Sequence, residues 1–357
     1  MLIPKSEALI INNPLFPPLL RGNTDVRWRV SFKALSIMVF VVLFFTASAS
    51  GSRDFALVDP EDHAVVETDL IYAVIRVDNV KADTVTVSVN GKQVLILPVS
   101  AAKGFLCRPL RMAPGPNEIR VTALLNKEVV QSGTATVFYR SDLFDVYKTI
   151  PEGFAPRPFH VGDREKECVG CHRLELSAAD VKPSTPSDSA CWSCHKEITT
   201  NGFVHGPAAR WVCLACHDPK SAPQKYVVKQ PFSSVCFGCH KDSKQLWEVQ
   251  PFTHKPVSTG KCTICHNPHS GMTNELLRKK SWDLCVSCHI NRATGGHVGA
   301  GFTGNVHPTK GKPDPAQPGR ELSCASCHDP HAAPAKQLFA YNAQKASRIC
   351  KVCHKFE

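Results

Sequence analysis

Long apolar runs are nearly absent from this chain of 357 residues, which excludes a multi-span membrane protein. The one uncharged apolar stretch, Ala34 to Phe45, follows Arg27, Arg29 and Lys33 and precedes Ala47-Ser48-Ala49. That is the pattern of a secretory signal, with a basic start, an apolar centre and a small-residue cleavage site after Ala49. A retained membrane anchor is the rival, because the uncharged stretch continues to Ser52. No cysteine lies near the cleavage site, so no lipid anchor is expected there. Pro14, Pro17 and Pro18 break any helix in residues 1–26, a stretch longer than signal n-regions usually are. Translation starting near Val26 or Val30 would account for it. The expectation is a periplasmic or extracellular protein, with residues 1–49 outside its fold. Membrane association is expected only through an uncleaved N-terminal segment.

Methionine is scarce as well, with four in the chain and two, Met112 and Met272, beyond residue 49. Cysteine is plentiful, yet almost none is left over. Sixteen of the 17 fall in eight Cys-x-x-Cys-His motifs, and only Cys107 lies outside them. The first four motifs are Cys168/Cys171/His172, Cys191/Cys194/His195, Cys213/Cys216/His217 and Cys236/Cys239/His240. The last four are Cys262/Cys265/His266, Cys285/Cys288/His289, Cys324/Cys327/His328 and Cys350/Cys353/His354. Two thiols at this spacing can form thioethers to the two vinyl groups of one haem, and the adjacent His then lies under the iron. Disulfide frameworks and zinc ribbons also use Cys-x-x-Cys. Neither demands a histidine directly after every second cysteine. Eight covalently bound haem c groups are therefore expected.

The formal charge of +11 would by itself suggest nucleic acid or acidic lipid as a partner. Beyond residue 49, 37 basic and 29 acidic residues remain. A ferric haem with both propionates ionised carries about −1, so eight would bring the total near zero. Lysine and arginine are thus propionate partners first, and no nucleic-acid site is expected.

Residues 50–145 carry no haem motif and alternate with period two. Leu70–Val77, Thr84–Val89, Val94–Val99, Glu118–Ala123 and Thr134–Tyr139 read as strands. Asn90-Gly91 signals a hairpin, and Pro114-Gly115-Pro116 punctuates another turn. Five to seven strands in about 90 residues indicate an all-β sandwich. The segment Pro114 to Val121 resembles the late hairpin of bacterial immunoglobulin-like domains. Cys107, in Phe105-Leu106-Cys107, is expected to be a core thiol. No catalytic constellation occurs in this region, so a docking or spacing role is expected. Residues 146–159, with Pro151, Gly153, Pro156 and Pro158, read as a linker.

Residues 160–357 repeat. His160, His205 and His254 each precede the first motif histidine of their unit by 12 residues, and the two motif histidines follow 23 apart. A fourth unit is stretched, with His307 standing 21 residues before His328. This region resembles the doubled C-x-x-C-H family and, more loosely, class III multihaem cytochromes. The resemblance implies short helices and loops packed on haems, with little regular secondary structure. It also implies that the second histidines of His266-Asn267-Pro268-His269 and His328-Asp329-Pro330-His331 ligate a different haem. Two methionines cannot supply sixth ligands generally. His160, His205, His254, His269, His297, His307 and His331 are the distal candidates, seven for eight irons. In unit two the corresponding slot holds Lys220, and in unit one it reads His172-Arg173-Leu174-Glu175. His63, Lys220, a histidine of a neighbouring copy, or an open position remain for the unmatched iron. The four tryptophans beyond residue 49 (Trp192, Trp211, Trp247, Trp282) are expected to pack against porphyrin.

The sequence thus points to an exported multidomain electron-transfer cytochrome, an immunoglobulin-like sandwich followed by an octahaem domain. Bis-histidine iron has no room for substrate, which leaves outer-sphere transfer between redox partners such as cytochromes, quinol oxidoreductases or terminal reductases. Family resemblance places this in anaerobic respiration. Two rivals stand. One is a reductase or oxidase of nitrite, hydroxylamine or a sulfur oxyanion working at an open haem, although no altered C-x-x-C-K motif is present. The other is self-association as a subunit of an extracellular cytochrome filament.

Overall fold

The computed structural model describes residues 54–294 and 307–355. The expected leader, residues 1–49, and His297 lie outside the described residues.

Eight strands occupy the β region: β1 (Ala56–Asp59), β2 (Ala64–Val66), β3 (Leu70–Arg76), β4 (Thr84–Val89), β5 (Lys92–Pro98), β6 (Phe105–Arg111), β7 (Gly115–Leu125) and β8 (Glu128–Tyr139). They form a three-stranded sheet, β1-β3-β6, and a larger sheet that runs β5-β4-β7-β8-β2. The period-two pattern points Ile71, Ala73 and Ile75 of β3, Val85 and Val87 of β4, and Ile119 and Val121 of β7 into one buried cluster. Each such Val or Ile contributes roughly 1.5–3 kcal/mol on leaving water. The strand-rich region is sandwich-like, as the alternation predicts.

Two turns differ in an instructive way. Asn90 and Gly91 adopt positive φ, 52° and 76°, between β4 and β5, the hairpin expected from the sequence. Pro114-Gly115-Pro116 does not turn the chain back. Gly115 and Pro116 open β7 and pair with Tyr139 and Phe138. Glycine is required there, since φ is +93° and a Cβ would come within 2.5 Å of the Tyr147 ring. The reversal comes at Asn126 and Lys127, both at positive φ. That pair lacks the glycine that marks such turns in sequence.

Cys107 is not in the core. Alternation along β6 sends Leu106 and Leu110 inward and leaves Cys107 half-buried on the outer face. Tyr72 lies on that same face, because Tyr72 pairs with Pro109 and Val74 with Cys107. This face meets the first haem motifs. The Tyr72 ring sets its edge on His195 at 5.6 Å, and the Glu197 N–H donates to the Tyr72 hydroxyl at 3.3 Å. The linker is tied down as well. Ala155–Pro156 forms a ninth strand, β9, parallel to β2. Arg164 then donates to Asp59 Oδ1 at 2.7 Å and to the carbonyls of Arg157 and Pro158.

Beyond Arg164 none of the described helices exceeds eight residues, and the strands are two-residue pairs. Among the described residues of this region buried apolar side chains are few: Trp211, Leu284, Leu322 and four alanines. So small a set cannot serve as a conventional core for about 190 residues. Among the described residues no helix is long and apolar enough to cross a membrane.

The sandwich core yields a direct test. Ile119→Ala should cost about 2–5 kcal/mol through cavity formation. Hydrogen-exchange mass spectrometry should show protection lost across β3, β4 and β7, while the Cys-x-x-Cys-His segments exchange as before.

Candidate haem-binding sites

Each motif is a tight local turn. In seven of them the histidine N–H donates to the carbonyl of the first cysteine, at 2.8–3.1 Å. This one helical turn brings both sulfurs and the imidazole to the same side, as thioether attachment beside an axial ligand requires.

The distal candidates then fall into register. His160 faces His195 with ring centroids 6.1 Å apart, and His205 faces His240 at 6.1 Å. His269 faces His217 at 6.1 Å, His254 faces His289 at 6.2 Å and His331 faces His266 at 6.0 Å. His307 faces His354 at 6.1 Å. Four pairs are near parallel, at 6° to 21°, whereas His160–His195 is inclined by 41° and His307–His354 by 77°. Direct stacking would bring rings closer than this. Trp247, which does stack on His331, sits at 4.3 Å. A metal held midway fits the gap, since two bonds of about 2 Å plus about 1.1 Å from each nitrogen to its ring centre span about 6 Å.

Two nitrogens on one axis leave a metal short of donors. Among the described residues no group of three or more His, Cys, Asp or Glu side chains could hold a bare ion. A porphyrin would supply the missing nitrogen donors, and the flanking cysteines would anchor it. The residues therefore fit haem c.

The imidazoles are also set in one tautomer. Nδ1 of His205, His254 and His307 lies 2.9–3.0 Å from the carbonyls of Pro268, Pro330 and Pro308. Nδ1 of His217, His266 and His328 lies 2.7 Å from those of Tyr226, Glu275 and Gln337. A carbonyl can only accept, so Nδ1 carries the proton and Nε2 is left for a metal. Withdrawal from water, with the facing ring adding to it, pushes His195 and His269 down to about 4. Both are neutral at pH 7, as a ligand must be.

A repeated backbone device positions the distal histidines. The N–H of His205 donates to the carbonyl of His269 at 3.0 Å, and that of His254 to His331 at 2.8 Å. Short strands extend each contact, 203–204 with 270–271 and 252–253 with 332–333. Small residues are needed behind the histidine: a Cβ on Gly271 would lie 2.7 Å from Leu276 Cα, and Ala332-Ala333 takes the equivalent place.

The sequence treats both cysteines of every motif alike, and the structure does not. First cysteines of successive motifs meet at Cys191 with Cys213, Cys236 with Cys262 and Cys285 with Cys324. Among the second cysteines, Cys216, Cys265 and Cys327 are half-buried, and burial pushes their thiols up. Four of the other five second cysteines differ from these. Cys171, Cys239, Cys288 and Cys353 are exposed, and Cys194 is half-buried with its sulfur 3.7 Å from the Ser193 hydroxyl. The cause is local. In the second, fourth and sixth motifs the first cysteine packs inward on the next motif, and Cys194, Cys239 and Cys288 fall one turn further along. Cys239 and Cys353 are the last residues of the helices Phe232–Cys239 and Ala346–Cys353. Cys171 belongs to unit one, whose docking differs. Protein packing therefore leaves four of these thiols exposed, and the assignment of the second cysteines as tethers rests on the motif and its turn.

Unit one departs from the common plan. Glu175 stands in its slot, and Arg173, directly after the motif histidine, forks onto the buried Asp180 at 2.6 and 3.0 Å. Among the described residues no imidazole stands opposite His172. His63 does not reach an iron position; it bonds Asp62 at 2.9 Å and packs on Phe154. Lys220 is exposed, and its backbone N–H is engaged by Asp218. Trp247 has an imidazole neighbour, Trp211 is buried, and Trp282 donates to Thr309 beneath Lys310.

The doubled CXXCH motif matches three segments, 205–245, 254–294 and 317–357. The first two begin at the distal histidines His205 and His254, and unit one is in none of them. No curated protein matches the chain. Among solved structures, the fibronectin(III)-like modules of CbhA from Clostridium thermocellum are 15% identical, over 24% of this chain and 94% of theirs, with a TM-score of 0.20. An engineered protein is 23% identical, over 23% of this chain and 18% of its own, with a TM-score of 0.19. Neither bears on function. Doubled CXXCH motifs of this kind indicate a multihaem c-type cytochrome.

Proposed function

We propose that the chain is an exported octahaem c-type cytochrome that passes electrons by outer-sphere transfer in anaerobic respiration. The observation that carries this reading is the common spacing of six imidazole pairs. Each motif histidine is the proximal ligand of the haem tethered by its own cysteines. The distal ligands are His160 for the second haem in chain order, His269 for the third, His205 for the fourth, His331 for the fifth, His254 for the sixth and His307 for the eighth. Haem bound between such a pair supplies a one-electron couple with no open iron position.

Two rules describe the set. The histidine that opens a unit serves that unit's second haem, and the His-x-Pro-His histidine serves the first haem of the unit before. Backbone bonds between distal histidines join the third site to the fourth and the fifth to the sixth. Cysteine contacts join the second to the third, the fourth to the fifth and the sixth to the seventh. From the second to the seventh, neighbours in chain order are thus in contact, which is what a relay needs. Partners at its ends are redox proteins such as quinol oxidoreductases, other cytochromes or terminal reductases.

The six assignments cover neither the haem of His172 nor that of His328, and the enzyme reading keeps its foothold at these two sites; among the described residues no imidazole stands opposite His172. Intact-mass analysis and electron paramagnetic resonance of the natively matured protein decide between them. The relay predicts eight attached haems, all low-spin and unreactive to carbon monoxide. A stoichiometric high-spin, gas-binding haem would favour the enzyme, and markedly fewer than eight attached groups would refute the octahaem reading.

Single substitutions test the assignments. His269→Ala should convert one haem, that tethered by Cys213 and Cys216, to a high-spin, carbon-monoxide-binding form. The attached haem count should not change. If no haem changes spin state, or a different one does, the cross-unit ligation is wrong.

A further inference from the structure

Among the described residues of the haem region seven histidines present Nδ1 to a hydrogen-bond partner at 3.0 Å or less, and six of these partners are backbone carbonyls. The seventh is a carboxylate: Nδ1 of His160 lies 2.9 Å from Glu165 Oε1. Glu165 is only 7% exposed, and its other oxygen accepts from Lys225 Nζ at 2.6 Å. The Lys225 backbone N–H donates in turn to the His160 carbonyl at 2.9 Å, which closes a ring of three residues. Burial pushes the Glu165 carboxyl up, but the bonds from Lys225 and His160 outweigh it and hold the group below its usual range. It is a carboxylate at neutral pH.

The ring occupies the place where unit one breaks the repeat. In units two and three the distal histidine leans on the Pro-His carbonyls of the next odd motif. For His160 the next odd motif is that of unit two, whose slot holds Lys220, and His160 is met by a later part of the same loop. Val161 bridges Gln224, and Tyr226 sets its ring against His160 at 4.9 Å. Another carboxylate near a distal imidazole, Asp329, stands 3.4 Å from Nδ1 of His331, beyond ordinary hydrogen-bond length.

An acceptor that draws the Nδ1 proton leaves Nε2 richer in electrons and a stronger donor to a ferric centre. A carboxylate does this more strongly than a carbonyl. We propose that Glu165 is a positioning residue that lowers the potential of the haem between His160 and His195, with Lys225 setting how far. This rests on the assignment of that pair as axial ligands. The second site is then more reducing than a carbonyl-bonded pair of the same kind would be. An electron placed there is driven toward the third site, at His217 and His269, so the N-terminal end of the relay has a preferred direction.

Three variants of the full, haem-loaded chain test this by potentiometric titration and electron paramagnetic resonance at pH 8. His160→Ala should turn one haem high-spin; if it does not, the ligand assignment falls and the proposal with it. Glu165→Gln, which keeps an acceptor but removes the charge, should raise one transition while all haems keep their spin states. Lys225→Met should lower that same transition. A merely structural role would not move one transition in opposite directions. Should His160→Ala behave as expected while the other two leave every transition in place, or shift it the same way, the tuning role is overturned.

Discussion

A gap of about 6 Å between facing imidazoles is the constraint on which the C-terminal region depends. Side chains alone give no reason for two neutral rings to stop at that separation, because dispersion would draw them to contact. A metal axis gives the reason. It also accounts for the carbonyl or carboxylate at Nδ1 of six of the twelve paired histidines, which leaves the opposite nitrogen for the iron. The rest of the region reads as scaffolding for those axes: one-turn motifs, two-residue strands and small residues where backbones cross.

The two halves of the protein solve the core problem differently. The β region buries a continuous cluster that runs from Phe55 to Tyr139. The haem region buries three large apolar side chains and a few alanines. In the reading proposed here the porphyrins supply the missing apolar volume. The halves meet at the first two motifs, where Tyr72 touches His195 and Arg164 bonds Asp59. The Tyr72 contact lies beside the same site that carries the carboxylate-bonded histidine, and Lys279 over the Phe144 ring at 4.3 Å makes a further contact between the halves.

Much of this is legible in the sequence, for reasons that differ by element. Cys-x-x-Cys-His fixes local geometry within five residues, and the alternation of β3, β4 and β7 needs only a strand's own periodicity. The distal histidines are legible as a set because each recurs at a set place in the repeat. Which iron each serves is not, because that depends on how units dock: His205 and His240 are 35 residues apart, His266 and His331 are 65. The same docking sets the unequal exposure of the motif thiols, enclosing Cys216 and Cys265 but leaving Cys239 and Cys288 at the surface. The apolar neighbours of Cys107 suggest a core, whereas alternation decides the face. The Asn126-Lys127 reversal carries no glycine to signal it, and β9 lies in a proline-rich linker of a kind that seldom pairs. The carboxylate on His160 has no sequence signal at all; Glu165 and Lys225 meet only through the altered docking of unit one.

The most direct measurement is an experimental structure of the natively matured protein that resolves its irons. The account predicts a haem iron midway between each of the six facing histidine pairs, coordinated by Nε2 from both sides, with thioethers to the cysteines of the proximal motif. Irons bound by one histidine of a pair and by water, methionine or lysine on the other face would contradict it.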